Sequence, residues 1–274
     1  MAPTHLHLIR HAQGFHNIST ANHALRDPLL TPLGESQCHT LSTTLPSIST
    51  IDLIVASPIK RALYTALLTF RAHLTANPTL RIIALPDLQE TSNLPCDTGS
   101  DLAELQREFA NMPIDFSHMT PGWNNKTTGP YAPVARHVMA RARRSRRWIA
   151  AREEKEVAVV THGGFLHYFT EDWSDHAKFT GTGWANTEFR SYTFDMSTPQ
   201  NVENATVVET PESRLRRKGH EISLTEAEQV NLMETAQRTW EEAGYIMPFV
   251  EQAEDGYFAE AEAKPRGAVV KVET

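Results

Sequence analysis

One short stretch constrains this chain more than any other. Leu6, Leu8 and Ile9 form an apolar run that leads straight into Arg10 and His11, followed by Ala12-Gln13-Gly14-Phe15-His16-Asn17. The run reads as a buried strand, with a turn and a helix or loop over residues 17–25. Open α/β sheets carry their chemistry at the carboxyl ends of strands. Arg10 and His11 therefore stand where a catalytic pair belongs. Arginine brings a permanent charge and a donor fork that fits phosphate oxygens. Neutral histidine brings a nitrogen nucleophile that works near neutral pH. A single histidine after a strand is more often a packing or surface residue. A second boundary of the same kind changes the weighing: Val157-Ala158-Val159-Val160 runs into Thr161-His162-Gly163-Gly164. Two strand ends, each delivering a histidine, can build one pocket.

Between and beyond these ends, strand and helix patterns alternate. Thr31 as cap and Pro32 as first helical residue predict a helix over residues 32–45. Residues 51–56 read as a buried parallel strand broken by Ser57-Pro58. The helix after it, residues 59–73, carries Lys60 and Arg61 in its first turn. Cations oppose the helix dipole there, so the pair points to an anion at the strand end or, for Lys60 above all, to a solvated surface charge. Residues 79–85 read as the next strand. Glu90 just past it is a candidate general acid or a plain exposed loop carboxylate, with Asp87 and Asp97 as rivals. A helix over 101–111 lies inside a long irregular segment, residues 92–133, of the kind that forms lids and binding insertions. Residues 134–153 read as a helix. Its Arg136, Arg141, Arg143, Arg144, Arg146, Arg147 and Arg152 are expected on a solvated face, opposite Val134, Val138, Met139, Ala142, Trp148 and Ile149. Further strands are expected at 156–160, at 187–194 on a sheet edge, and at 205–210. A helix follows over 224–243, capped by Ser223 or Thr225 and stopped by Gly244.

This order predicts an α/β fold: a three-layer α/β/α, doubly wound, mostly parallel sheet with an inserted lid. The expected organisation is a single catalytic domain over residues 1–250, with 92–133 as lid and 251–274 as an uncommitted tail. At 274 residues, 40% of them apolar, the chain can build a real core. A net charge of −7 argues against a general nucleic-acid surface. No run approaches the roughly 20 apolar residues of a membrane span. Met1-Ala2-Pro3-Thr4-His5 lacks the pattern of a secretory signal. Cys38 and Cys96 are therefore read as reduced thiols, and the expected location is cytoplasmic. The histidines show no His-Glu-x-x-His spacing, so no metal and no cofactor are expected.

Arg10-His11 followed by Asn17, Ser57-Pro58 with Arg61, Glu90, and Thr161-His162-Gly163-Gly164 occur in order over residues 5–195 and resemble the histidine phosphatase superfamily, the phosphoglycerate mutase-like fold. The segment Asp27-Pro28-Leu29-Leu30-Thr31-Pro32-Leu33-Gly34-Glu35-Ser36-Gln37 resembles a second part of that pattern, although helix capping explains most of it. The resemblance implies a phosphohistidine on His11, Glu90 as proton donor, and Arg61 as a second phosphate-binding arginine. Arg10, Asn17, Arg61, His162 and Gly163 would hold the phosphoryl group. The expected activity is metal-independent hydrolysis of a small organic phosphate monoester. The expected partner is that small-molecule substrate, without nucleic acid or membrane; a homo-oligomer is left open.

Three other readings compete. A phosphoglycerate-type mutase would return the phosphate to its product. The mutases resembled carry a Trp-Glu-Gly stretch near the acid, where this chain has Thr91-Ser92-Asn93-Leu94-Pro95-Cys96-Asp97. That departure favours hydrolysis and resembles the fungal and plant phosphatase-like branch with its Pro-Cys-Asp motif. A non-catalytic phospho-ligand module is opposed by the complete set of Arg10, His11, Arg61, Glu90 and His162. A member redirected to a diphosphate could line its pocket with Trp123, Tyr131, Phe165 and Trp184, although aromatic residues are more often core.

Overall fold

The computed structural model describes residues 2–46 and 48–247. The elements run β1 (His5–Arg10), α1 (Pro32–Thr44), β2 (Leu53–Ala56), α2 (Lys60–Thr69), α3 (Arg71–Ala76), β3 (Ile82–Ala84), α4 (Leu102–Glu108), β4 (Ile114–Asp115) and α5 (Ala135–Ala150). Then follow β5 (Glu156–Thr161), α6 (Gly163–Thr170), α7 (Lys178–Gly181), β6 (Phe189–Phe194), α8 (Pro199–Asn204), β7 (Val207–Glu209), α9 (Pro211–Lys218) and α10 (Glu226–Glu242). The seven strands form one sheet in the order β4-β3-β2-β5-β1-β6-β7. The first five in that order are parallel, β6 is antiparallel to β1, and β7 is antiparallel to β6.

Burial is continuous along the parallel strands because both faces of the sheet are covered, and successive side chains enter opposite cores. Leu6 and Leu8 of β1, Leu53 and Val55 of β2, and Val157 and Val159 of β5 pack in one core with α5, α6 and Trp240 of α10. Ile9, Ile54, Ala56, Ala158 and Val160 point the other way, into a second core with α1 and α2. The result is the expected α/β/α sandwich with a mostly parallel sheet. The chain moves from β1 outward through β2, β3 and β4, then returns to insert β5 between β2 and β1. That reversal makes a crevice at the carboxyl ends of the central strands.

Four expectations need correction. Residues 187–194 do form a strand, β6, but it is not an edge, because β7 pairs outside it. The helix expected over 59–73 is two helices, since Phe70 leaves helical geometry at φ −97°, ψ 12° and is itself buried. The polar insertion contains β4, whose two residues are too few to show a period. The arginines of α5 are not all a solvated face: Arg141 and Arg146 are buried and bind backbone carbonyls. The expected cap and stop of α10 are present, with Thr225 accepting from the Glu228 amide and Glu228 bonding back. The expected tail, 251–274, lies outside the described residues.

Candidate active site

His11 is the first residue past β1, and its amide still bonds to the Thr161 carbonyl of β5 at 2.8 Å. Its loop is fixed from three sides. Thr65 Oγ1 of α2 accepts from the Ala12 amide at 3.0 Å, Asn186 Nδ2 donates to the His11 carbonyl at 3.0 Å, and Gln37 Oε1 of α1 accepts from the Gln13 amide at 2.8 Å. Gly34 lets α1 approach this loop: a Cβ there would lie 2.1 Å from the Gln13 carbonyl oxygen. The segment from Asp27 to Gln37 is thus the support behind the histidine. Asp27 caps α2 rather than α1, accepting from the Lys60 amide at 2.9 Å.

The His11 ring has a defined tautomer. Nδ1 lies 2.7 Å from the Ala12 carbonyl, an obligate acceptor, so Nδ1 carries the proton. Nε2 keeps its lone pair and accepts from Arg61 Nε at 3.1 Å. Burial, then the charges of Arg61 and Arg10, hold this imidazole neutral, well below the usual histidine range. A neutral ring with a free-pair nitrogen is the form required of a nucleophile.

Arg61 stands in the first turn of α2, almost fully buried. Besides His11 it binds the Cys96 carbonyl and, at 2.8 Å, Asp97 Oδ1. Asp97 also accepts from Ser92 Oγ at 2.5 Å. The Pro-Cys-Asp turn therefore aims Arg61, and Asp97 is its counter-ion rather than a free acid. Asp87, the other rival, is bound by Arg144 at 2.8 Å. Lys60, next to Arg61, turns away into ion pairs with Glu104 at 3.0 Å and Glu108 at 2.8 Å.

Arg10 is buried at the end of β1, with Nη1 donating to Thr182 Oγ1 at 3.0 Å and to the Trp184 carbonyl. Its Nε has no protein partner. Burial lowers its pKa to about 10, still fully charged near neutrality. His162 follows β5, its ring 5.1 Å from that of His11. Its Nε2 is 2.8 Å from Ser57 Oγ, while its Nδ1 is buried without a partner. If the Ser57 hydroxyl donates to Nε2, Nδ1 carries a proton to give. Burial, with Arg61 and His11 beside it, keeps this ring neutral as well.

Glu90 reaches the start of α6. Its carboxylate accepts from the amides of Thr91 at 2.8 Å, Gly164 at 3.1 Å and Phe165 at 2.9 Å. A Cβ on Gly164 would lie 2.7 Å from Glu90 Oε1, so the glycine admits the carboxylate. The Gly164 and Phe165 amides, which follow Gly163 at the start of α6, thus hold the acid. Burial and the nearby Asp97 raise the Glu90 pKa against the pull of those donors.

Arg10, His11, Arg61 and Glu90 line one cavity of about 280 Å³, together with Asn17 and Gly164. Asn17 uses its Oδ1 to accept from the Gly14 amide at 3.0 Å. Three further residues belong to the site. His16 lines the cavity, its ring 5.4 Å from that of His11, and burial keeps it neutral. Lys126, buried, donates to the backbone carbonyls of Glu90 and, at 3.3 Å, Asp97. Burial and the charge of Arg141 push its pKa down to about 7. Arg141 donates to the carbonyls of Asp87 at 2.8 Å and Glu90 at 2.9 Å, and to that of Gln89. Arg141, expected on a solvated face, shares the α5 stripe of Val138, Ala142 and Ile149, a spacing that could have marked it as inward; Lys126, in a polar segment, had no signal. Cys96 also lines the cavity, its thiol pushed up to about 12 by burial and by Asp97. From the 92–133 segment only Ser92, Leu94, Cys96 and Asp97 line the wall. Trp123, Phe165 and Trp184 are core residues, and neither they nor Tyr131 line the cavity. The aromatic lining is Trp240 and Tyr245 instead.

Among the described residues no helix is long and apolar enough to cross a membrane, and no group of three or more His, Cys, Asp or Glu is arranged to hold a metal ion.

The sequence model of the histidine phosphatase superfamily (branch 1) matches residues 6–205. A phosphoglycerate mutase-like protein of Arabidopsis thaliana is 29% identical over 198 residues, covering 59% of this chain and 72% of that protein. A probable phosphatase of Schizosaccharomyces pombe is 29% identical over 166 residues, covering 60% of this chain and 76% of its own. Among solved structures, the ecdysone phosphate phosphatase of Bombix mori superposes with a TM-score of 0.52 at 14% identity, over 69% of this chain and 88% of that one. That likeness is one of fold.

Proposed function

The chain belongs to the histidine phosphatase superfamily, and from that premise we propose that it hydrolyses a small organic phosphate monoester through a phosphohistidine on His11. The observation that carries this reading is the His11 ring: Nδ1 is committed to the Ala12 carbonyl, which leaves the Nε2 lone pair facing Arg61 at 3.1 Å. A phosphate oxygen that takes over the Arg61 Nε donor frees that lone pair for attack in line with the ester bond.

In the first step Nε2 forms a bond to phosphorus as the ester P–O bond breaks. Arg10 and Arg61 neutralise and orient the three non-bridging oxygens, and the unpartnered Nδ1 of His162 and Asn17 add uncharged contacts. The arginines supply the charge that a metal supplies in kinases, so the step runs without one. Glu90, whose pKa burial raises, gives the proton of its acid form to the leaving alkoxide. In the second step the Glu90 carboxylate takes a proton from water as that water attacks phosphorus. The P–N bond breaks, phosphate leaves, and His11 returns neutral.

The deciding experiment is phosphate release from p-nitrophenyl phosphate in EDTA, with trapping of the phosphoenzyme by acid-free gel filtration. His11→Ala is expected to abolish both turnover and the phosphoenzyme. Substantial release by that variant would remove His11 as nucleophile.

A further inference from the structure

The cavity has two unlike ends. At the buried end, every charged group is already assigned: Arg10, Arg61 with its counter-ion Asp97, and Glu90 serve the phosphoryl group. Arg10 and Arg61 are the only lysine or arginine side chains among the described residues of the lining. The outer end is made by different parts of the chain. Ile18 and Thr20 come from the short turns after His11, Leu94 comes from the segment before Cys96, and Trp240 and Tyr245 come from the end of α10. Ile18 is 59% exposed at the rim, whereas Trp240 is 6% exposed.

This outer wall is held in shape. Trp240 packs against Trp173 at 5.7 Å, His167 at 6.0 Å and Tyr168 at 6.1 Å between ring centroids. Tyr245 meets the edge of His23 at 6.3 Å, across from the α10 side of the opening. The wall therefore offers ring faces and aliphatic carbon, with hydroxyls of Ser19 and Thr20 beside them.

We propose that the substrate of this site is the phosphate monoester of an uncharged alcohol with an apolar or aromatic body, which packs between Ile18, Leu94, Trp240 and Tyr245. The proposal rests on the phosphatase reading and adds the nature of the leaving group. A substrate carboxylate, as in phosphoglycerate, would lose water against this wall with no lysine or arginine to replace it. It would also share the cavity with Glu90 and Asp97, two carboxyl groups of the protein. An apolar body loses no such hydration and gains from burial.

The test compares kcat/KM of the full chain at pH 8 for benzyl phosphate, glycerol 1-phosphate and 3-phosphoglycerate, with His11→Ala as control. All three have alkyl leaving groups, so differences report binding rather than leaving-group stability. Benzyl phosphate is expected to exceed both others by about tenfold or more, the discrimination an apolar pocket provides. Ile18→Arg changes a rim residue and adds a cation; it is expected to move the benzyl-to-phosphoglycerate ratio toward phosphoglycerate by about tenfold. Tyr245→Ala is expected to lower the benzyl-to-glycerol ratio through KM. Phosphoglycerate turned over as well as benzyl phosphate, or ratios that neither variant moves, would overturn the proposal while leaving the phosphatase reading intact. Release from none of the three esters, or release that persists in His11→Ala, would instead remove the phosphatase reading and the proposal with it.

Discussion

Helices α2 and α6 both begin beside the cavity, and in both a carboxylate from a distant segment covers an amide of the first turn. At α2 the carboxylate is Asp27, which accepts from Lys60 at 2.9 Å and from Ser100 at 2.7 Å. At α6 it is Glu90, which accepts from Gly164 and Phe165. Burial raises the pKa of both. The difference is position. Asp27 is buried outside the cavity lining, whereas Glu90 is part of it. A helix start after a strand end resembles an anion site in either case. Here the protein fills both starts itself, and only the carboxylate that reaches the cavity is available for proton transfer.

Breaking this contrast begins with Glu90→Gln. The amide keeps the shape but has no proton to give, so kcat on an alkyl phosphate is expected to fall by about 10²–10⁴. In kcat/KM, which reports the first step alone, the loss on p-nitrophenyl phosphate should be much smaller than on the alkyl ester, since nitrophenolate leaves without a proton. Equal losses on both would mean that Glu90 only holds α6. Lys126→Met tests the support behind the acid. It removes the Lys126 donor from the Asp97 carbonyl and leaves the Glu90 carbonyl to Arg141 alone, at a cost of about 1–3 kcal/mol, and kcat should drop about tenfold, equivalent to about 1.4 kcal/mol. Thermal melts and initial rates on the same sample separate the two effects, and an unchanged kcat would free the Glu90 turn from Lys126.

Asp27→Asn removes a charge that touches only structural amides. Stability should fall by about 1–2 kcal/mol with kcat retained; a kcat loss like that of Glu90→Gln would erase the distinction between the two helix starts. The smallest effect is in pH. His7, His11, His16, His162 and His167 all have lowered pKa values when folded, chiefly through burial. The unfolded chain takes up their protons first, near pH 6.5, so stability should decline as pH falls from about 7 to 5. Glu90 and Asp27, with raised values, oppose this decline. Melting temperatures of Glu90→Gln and Asp27→Asn should therefore fall more steeply than that of the wild type as pH approaches the unfolded carboxyl values of about 4, and parallel slopes there would contradict the raised pKa values.

The central strands were legible as continuous apolar runs buried on both faces, and most helices by their caps and their one-sided apolar stripes. Leu6-His7-Leu8-Ile9 and Val157-Ala158-Val159-Val160 each serve two cores, and the residue after each strand is where the chain turns into the crevice. Arg10, His11 and His162 therefore pointed to one place from their strand ends, and Arg61 and Glu90 did so through the family resemblance. What supports them did not. The ties from Lys126 and Arg141 to the Glu90 carbonyl cross 36 and 51 residues of chain. They bind main-chain oxygens, which carry no residue identity to be read. Asp97 looked like a competing acid because spacing reveals a carboxylate but not its counter-ion. The aromatic wall was sought in Trp123, Tyr131, Phe165 and Trp184, but long loops and α10 decide which rings reach the opening, and they bring Trp240 and Tyr245.

The thiol of Cys96 has a consequence for handling and for chemistry under stress. It borders the reacting centre, yet a pKa of about 12 leaves roughly one molecule in 10⁵ as thiolate near pH 7. Peroxide and alkylating reagents act on the thiolate, so they find almost nothing to attack. Enzymes that take phosphate onto cysteine must keep that group reduced to stay active. A site that works through imidazole, as proposed for His11, would depend on no reductant, and the sulfur beside it is held in its protonated form.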